Sequence, residues 1–239
     1  METMAVDKDV YKEKHLGSSV FITDIVIGMS DGLTVPFALA AGLSGAVQTN
    51  SIVIIAGISE IIAGSIAMGL GGYLAGKTAQ EHFQSEQKRE YDEVENIPEN
   101  EKAEVKLVFA QYGLNEHTQN LIVDELVKDK DKWVDFMMRN ELGLEKPDIN
   151  RARNSAATIG ISYIIGGIIP LSAYFFTRTP LQGLWISALL TIICLLIFGY
   201  FKSKATGQPP WKGALKVMSI GITAATAAFL VAKIFNHLF

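Results

Sequence analysis

Cysteine is almost missing from this chain: Cys194 is the single one in 239 residues, so no intrachain disulfide can form and nothing points to an oxidising compartment. It lies within an apolar run and reads as plain packing. Histidine is scarce too. Of four, only His82 and His117 fall in the charged middle of the chain, and neither completes the Glu-x-x-His step that helical di-iron oxidases use. No phosphate-binding loop is present in a credible setting: Gly71-x-x-x-x-Gly76-Lys77-Thr78 has the letters, but no strand precedes it and the frame is a continuous apolar helix. The overall charge of -4 argues against a nucleic-acid partner. The most informative absence is narrower. No Lys or Arg occurs inside the first two long apolar runs, yet Asp24, Asp31 and Glu60 do.

What is there is sharply segregated. Hydrophobic residues make up 49% of the chain and mean hydropathy is +0.25, but residues 78–152 hold 18 of the 25 Asp and Glu and 10 of the 21 Lys and Arg. That block is a water-exposed insert of domain size. Around it, five stretches reach the roughly 20 apolar residues a helix needs to cross hydrocarbon: about 20–43, 51–76, 156–176, 181–201 and 213–235. The first is too long and too acidic for a cleaved leader. The fold class that follows is an all-α membrane protein with five transmembrane helices. Residues 1–77 carry the amino terminus and spans 1–2, residues 78–152 the helical insert, and residues 153–239 spans 3–5. Lys8, Lys12, Lys14, Lys77, Arg151, Arg153, Lys202, Lys204 and Lys212 flank one side, against Arg178 and Lys233 on the other. By the positive-inside bias, the amino terminus and insert are cytosolic and the carboxyl terminus faces the far side.

A carboxylate in hydrocarbon costs at least about 2.5–3.5 kcal/mol, so it persists where it faces a protein-lined path or a partner. With no fixed cation in the run, a mobile one is the natural partner. At 1.5 Å per residue, Asp24 lies about 6 Å into the first span and Asp31 about 16 Å in, while Met68 on the returning second span lies about 13 Å from the same surface and Glu60 about 25 Å. The four make a ladder, with Asp31 level with Met68. A thioether beside carboxylates shifts preference from Mg²⁺ and Ca²⁺ toward Fe²⁺, Mn²⁺, Co²⁺ or Zn²⁺. Asp31 also sits inside the frame Gly28-Met29-Ser30-Asp31-Gly32, and Gly72 and Gly76 form a second frame. Both predict close helix contact. Pro36 lacks the N–H that would bond Gly32 and predicts a bend just past the acid. In the third span Pro170 has no ionisable companion and reads as structural.

The insert should be a bundle of three or four helices. The second span continues without a breaker to about Asn96; a helix from Glu99 to Tyr112 closes at Gly113; Asn115 caps another; and Asp129–Leu142 forms the last segment before Gly143. Glu90 and Glu93 are spaced i, i+3, as are Glu101 and Glu104, so each pair projects from one face without an obvious counter-charge. Met137, Met138 and Glu141 bring sulfur and carboxylate onto the last helix. Together these predict a cage for a divalent metal.

The first-span run from Asp24 to Phe37 (DIVIGMSDGLTVPF), Glu60, Met68-Gly69, the acidic insert and the three later spans resemble the plant-type vacuolar iron transporter family along essentially the whole chain. That resemblance implies a homodimer of five-span subunits in the vacuolar membrane, exchanging cytosolic Fe²⁺ for protons from the lumen, and not an enzyme. It places translocation on Asp31, Glu60 and Met68, with Asp24 in the same motif. It also places cytosolic metal binding on Glu90, Glu93, Glu101, Glu104, Met137, Met138 and Glu141. No prosthetic group is implied; Fe²⁺ is the substrate, and Zn²⁺, Co²⁺ and Mn²⁺ are possible substitutes. Two other classes compete. A membrane-anchored ferroxidase or iron store needs no acids in the bilayer, and a metal-sensing scaffold should carry a docking tail or long linker, which this sequence lacks.

Overall fold

The computed structural model describes residues 20–238, with side chains through Phe235. Lys8, Lys12 and Lys14, which contribute to the orientation reading, lie outside the described residues. The elements are α1 (Val20–Ser44), α2 (Asn50–Asn96), α3 (Pro98–Gln111), α4 (Glu116–Leu126), α5 (Lys130–Asn140), α6 (Arg151–Ser172) with a 3₁₀ turn at Ala173–Phe175, α7 (Pro180–Ala205) and α8 (Pro210–Leu238). Five of these, α1, α2, α6 with its 3₁₀ extension, α7 and α8, are long and apolar enough to cross a membrane. Each predicted apolar run coincides with one of them, the third overrunning its helix by one residue at Phe176. The 47 residues of α2 form one helix, so the second span does continue through the polar stretch to Asn96. Two compact units result, one from residues 20–71 and 155–238 and the other from Gly72–Asn154.

In the first unit the glycine frame of α1 sets the packing. A Cβ at Gly28 would strike the Ile159 carbonyl oxygen, and one at Gly32 the Tyr163 carbonyl oxygen. From the other side, a Cβ at Gly166 would lie 2.9 Å from the Gly32 carbonyl carbon and the Leu33 nitrogen. Only hydrogen at these positions lets the backbones of α1 and α6 come this close, so the partner of the small-residue frame is α6. The opposite side of α1 packs on α7 and α8 through Phe37, Ala41 and Ala225, with Leu184 and Ala188 against them. Pro36 is buried and α1 runs on for eight residues beyond it, to Ser44. Pro170 lies two residues before the end of α6, where the chain tightens into the 3₁₀ turn. At that end Asn50 donates to the carbonyls of Tyr174 (3.0 Å) and Thr177 (2.6 Å), and the Ser44 and Tyr174 hydroxyls share a hydrogen bond of 2.9 Å. These bonds fix the end of α1 and the start of α2 against the turn that follows α6.

The second unit is built around Phe83, Val94, Val105, Val123, Trp133, Val134, Met137 and Met138, all buried. Its helices start and stop where the chain chemistry directs. Pro98 occupies the first turn of α3, one residue before the predicted start, and Gly113 takes the left-handed conformation (φ +79°) that closes it. The Asn115 side chain accepts from the Thr118 amide at 2.9 Å and Asp129 from the Lys132 amide at 3.2 Å, caps worth about 1 kcal/mol each. Gly143 (φ +64°) then turns the chain away from α5.

Candidate metal sites

Three carboxylates from three elements converge in the Gly72–Asn154 unit. Glu90 projects from α2, Glu101 from the first turn of α3, and Glu141 from the residue that caps α5. Each offers an oxygen within 4.8 Å of the other two. Glu90 is 1% exposed and Glu101 2%, and the Oε2 atom of each is buried without a hydrogen-bond donor among the described residues. Glu93 and Glu104 lie close enough to add their charge, and Glu104 shares a hydrogen bond with Glu141. The five glutamates singled out in the sequence are therefore brought together. Such a group of mutually repelling carboxylates, Glu90 and Glu101 buried with orphan lone pairs and Glu141 exposed, is suited to a hard or borderline divalent cation.

Arg89 corrects one part of the sequence reading. The Glu90/Glu93 pair is not uncompensated, since the Arg89 guanidinium lies 2.8 Å from Glu86, 3.6 Å from Glu93 and 3.8 Å from Glu90. One cation cannot balance five acids. Burial, then the charges of Glu141 and Glu93, push the Glu90 carboxyl up to about 7. Burial, then Glu104 and Glu90, do the same to Glu101, also to about 7. Glu141 is raised mainly by burial, with Glu104 and Glu93 adding to it.

The sign of the resulting pH dependence is fixed. Glu90 and Glu101 hold their protons more tightly folded than unfolded, where the carboxyl value is 4.5. Their contribution to stability is present below that value and lost as pH rises through about 7. Thermal unfolding of the full chain in metal-free detergent should therefore show a falling midpoint between pH 5 and 8 as these groups ionise, and divalent metal should restore it at the upper end. A flat profile would mean the carboxylates are not held against one another.

Met137 and Met138, 0% and 1% exposed, belong to the apolar core, along the same face of α5 as Trp133 and Val134. The three converging carboxylates each offer oxygen.

In the membrane-length unit, Asp24 is 3% exposed on α1, one turn before Gly28, and Asp31 is half-buried beside Gly32. Glu60, half-buried on α2, accepts a hydrogen bond from the Tyr163 hydroxyl of α6, while its second oxygen is buried and accepts none from the described residues. The same hydroxyl lies within electrostatic range of Asp31. Tyr163 thus bonds one acid and lies within electrostatic range of a second from another helix. In the sequence a lone tyrosine within an apolar run reads as packing, and the adjacent polar pair Ser162-Tyr163 is the signal that sets it apart. Met68 lies half-buried two turns further along α2.

The chain matches the VIT family model over residues 22–233, which takes in both carboxylate groups. It belongs to the VIT family. Among VIT relatives, it is 49% identical over 229 residues to vacuolar iron transporter 1 of Arabidopsis thaliana, covering 96% of this chain and 92% of that one. Vacuolar iron transporter 2 of Oryza sativa subsp. japonica is 45% identical over 94% of this chain and 92% of its own. Protein CCC1 of Saccharomyces cerevisiae is 38% identical over 88% and 68%. Membership of the VIT family thus spans the five membrane-length helices and the Gly72–Asn154 unit alike.

Proposed function

We propose that the chain is a secondary transporter of the vacuolar membrane, moving Fe²⁺ from the cytosol into the lumen in exchange for protons. It is not an enzyme in this reading. The similar proteins named as vacuolar iron transporters supply the cargo and the compartment. The observation that carries transport is Glu60, a half-buried carboxylate on a membrane-length helix with one oxygen bonded to Tyr163 and the other, buried, without a donor among the described residues. An anion so placed needs a visiting cation or a proton, and competition between the two for the same oxygen is the minimum that exchange requires. The Gly72–Asn154 unit and the amino terminus are cytosolic and the carboxyl terminus lumenal. There the glutamates of the insert collect the ion before it passes Asp24, Asp31, Met68 and Glu60. The working unit is a homodimer.

A second reading keeps transport and widens the cargo to Mn²⁺, with Co²⁺ and Zn²⁺ beside it. It is favoured by the converging carboxylates of Glu90, Glu101 and Glu141, because carboxylate oxygen by itself does not prefer iron. Both readings meet one experiment. Purified protein in liposomes with an acidic interior should accumulate Fe²⁺ and acidify the outer medium, and collapsing the gradient should stop accumulation. Equal rates for Fe²⁺ and Mn²⁺ would favour the wider cargo. Flux indifferent to the gradient would identify a channel and overturn exchange.

A further inference from the structure

Tyr163 is 2% exposed and clamped from two sides. Its backbone carbonyl lies against Gly32 of α1, and its ring lies over Gly64 of α2, where an added Cβ would come within 2.5 Å of the hydroxyl and 2.6 Å of Cζ. Gly64 is one helical turn from Glu60, so the ring runs along α2 with its hydroxyl delivered to Oε1 of that carboxylate. Packing alone does not ask for the hydroxyl. A phenyl ring would fill the same space over Gly64, and what the oxygen adds is a donor aimed at one of two equivalent carboxylate oxygens.

We propose that Tyr163 is a positioning and specificity-determining residue: by occupying Oε1 it leaves Glu60 to meet a passing cation through Oε2 alone. The inference rests on the reading of Glu60 as part of the transport path. A one-oxygen contact suits a small transition-metal dication with short bonds and few ligands. Ca²⁺, which gathers six to eight oxygens at longer distance and draws on bidentate carboxylates, loses the contact it would use. Single-oxygen binding also limits how firmly an ion is held, as a site on a path must, since an ion that cannot leave blocks the next.

The test compares Tyr163→Phe, Gly64→Ala and Glu60→Gln with the unaltered protein in pH-gradient liposomes, using Fe²⁺ as cargo and Ca²⁺ as competitor. Freed of its donor, Glu60 binds with both oxygens, so Tyr163→Phe should lower the half-saturating Fe²⁺ concentration and the maximal rate together, each by about fivefold. Ca²⁺, nearly without effect on the unaltered protein, should become an inhibitor. Gly64→Ala keeps the hydroxyl but pushes the ring away from Glu60, and should reproduce the Ca²⁺ sensitivity if the phenyl variant fails to assemble. A merely structural tyrosine would lower the maximal rate alone. That result, or persistent indifference to Ca²⁺ in both variants while Glu60→Gln is inactive, overturns the role of Tyr163 and leaves the transport reading intact. Normal transport by Glu60→Gln would instead remove Glu60 from the path, and the inference with it.

Discussion

Asp31→Asn should abolish pH-driven Fe²⁺ uptake while leaving the protein folded. The substitution keeps size and shape and removes only the charge, and the backbone around it is fixed by contacts that do not involve the side chain: Gly28 and Gly32 are locked against the carbonyls of α6. The helix therefore cannot respond to the change by shifting. What is lost is a half-buried anion that an incoming cation would meet within the membrane-length unit. Replacing a charged ligand by a neutral one should lower the rate by at least about 100-fold, equivalent to about 2.7 kcal/mol. An unchanged unfolding midpoint in detergent, measured beside the liposome flux, separates this outcome from misfolding. Uptake at the normal rate would place the central step elsewhere.

The five membrane-length helices were legible because each is a long apolar run with few charges, a signal that depends on composition and survives errors of several residues at the ends. The helices of the Gly72–Asn154 unit were legible from local chemistry, since Pro98, Asn115, Asp129 and the two positive-φ glycines act on their own neighbours. Contacts between segments distant in sequence were not. The Gly28/Gly32 frame announced a close partner without saying that it was α6. Arg89 is a different case, since its partners Glu86 and Glu93 lie three and four residues away on the same helix and their spacing alone allows the pairing. Met137 and Met138 carry a ligand type and an apolar side chain in one residue, and only packing shows them in the core with Trp133 and Val134. Tyr163 was hidden for the opposite reason. Its polar atom is a small part of an aromatic side chain, so hydropathy counts it with its apolar neighbours, and its role appears only with Glu60 from a helix 103 residues away in sequence.

The double change Glu90→Gln with Glu101→Gln should move stability and metal affinity in opposite directions. Both side chains are buried, both sit among like charges, and each has an oxygen without a donor. At pH 8 in metal-free buffer, removing two of the five negative charges relieves repulsion that Arg89 alone does not balance, so the unfolding midpoint should rise. Its decline between pH 5 and 8 should largely disappear, because the groups whose carboxyls sit near 7 are gone. Divalent binding should weaken by about 100-fold, since amide oxygens carry no net charge and a hard or borderline cation is held chiefly by anionic oxygen. Glu93→Gln with Glu104→Gln is the control, touching more exposed members of the same group, and should weaken binding by less than about tenfold. Titration of Mn²⁺ against each full-length variant reads the affinities, and thermal unfolding reads the stabilities. Were the Glu90/Glu101 pair to lose stability and keep its metal affinity, the convergence would be a folding device. A gain in stability with a loss of affinity is the mark of charge kept buried for a ligand.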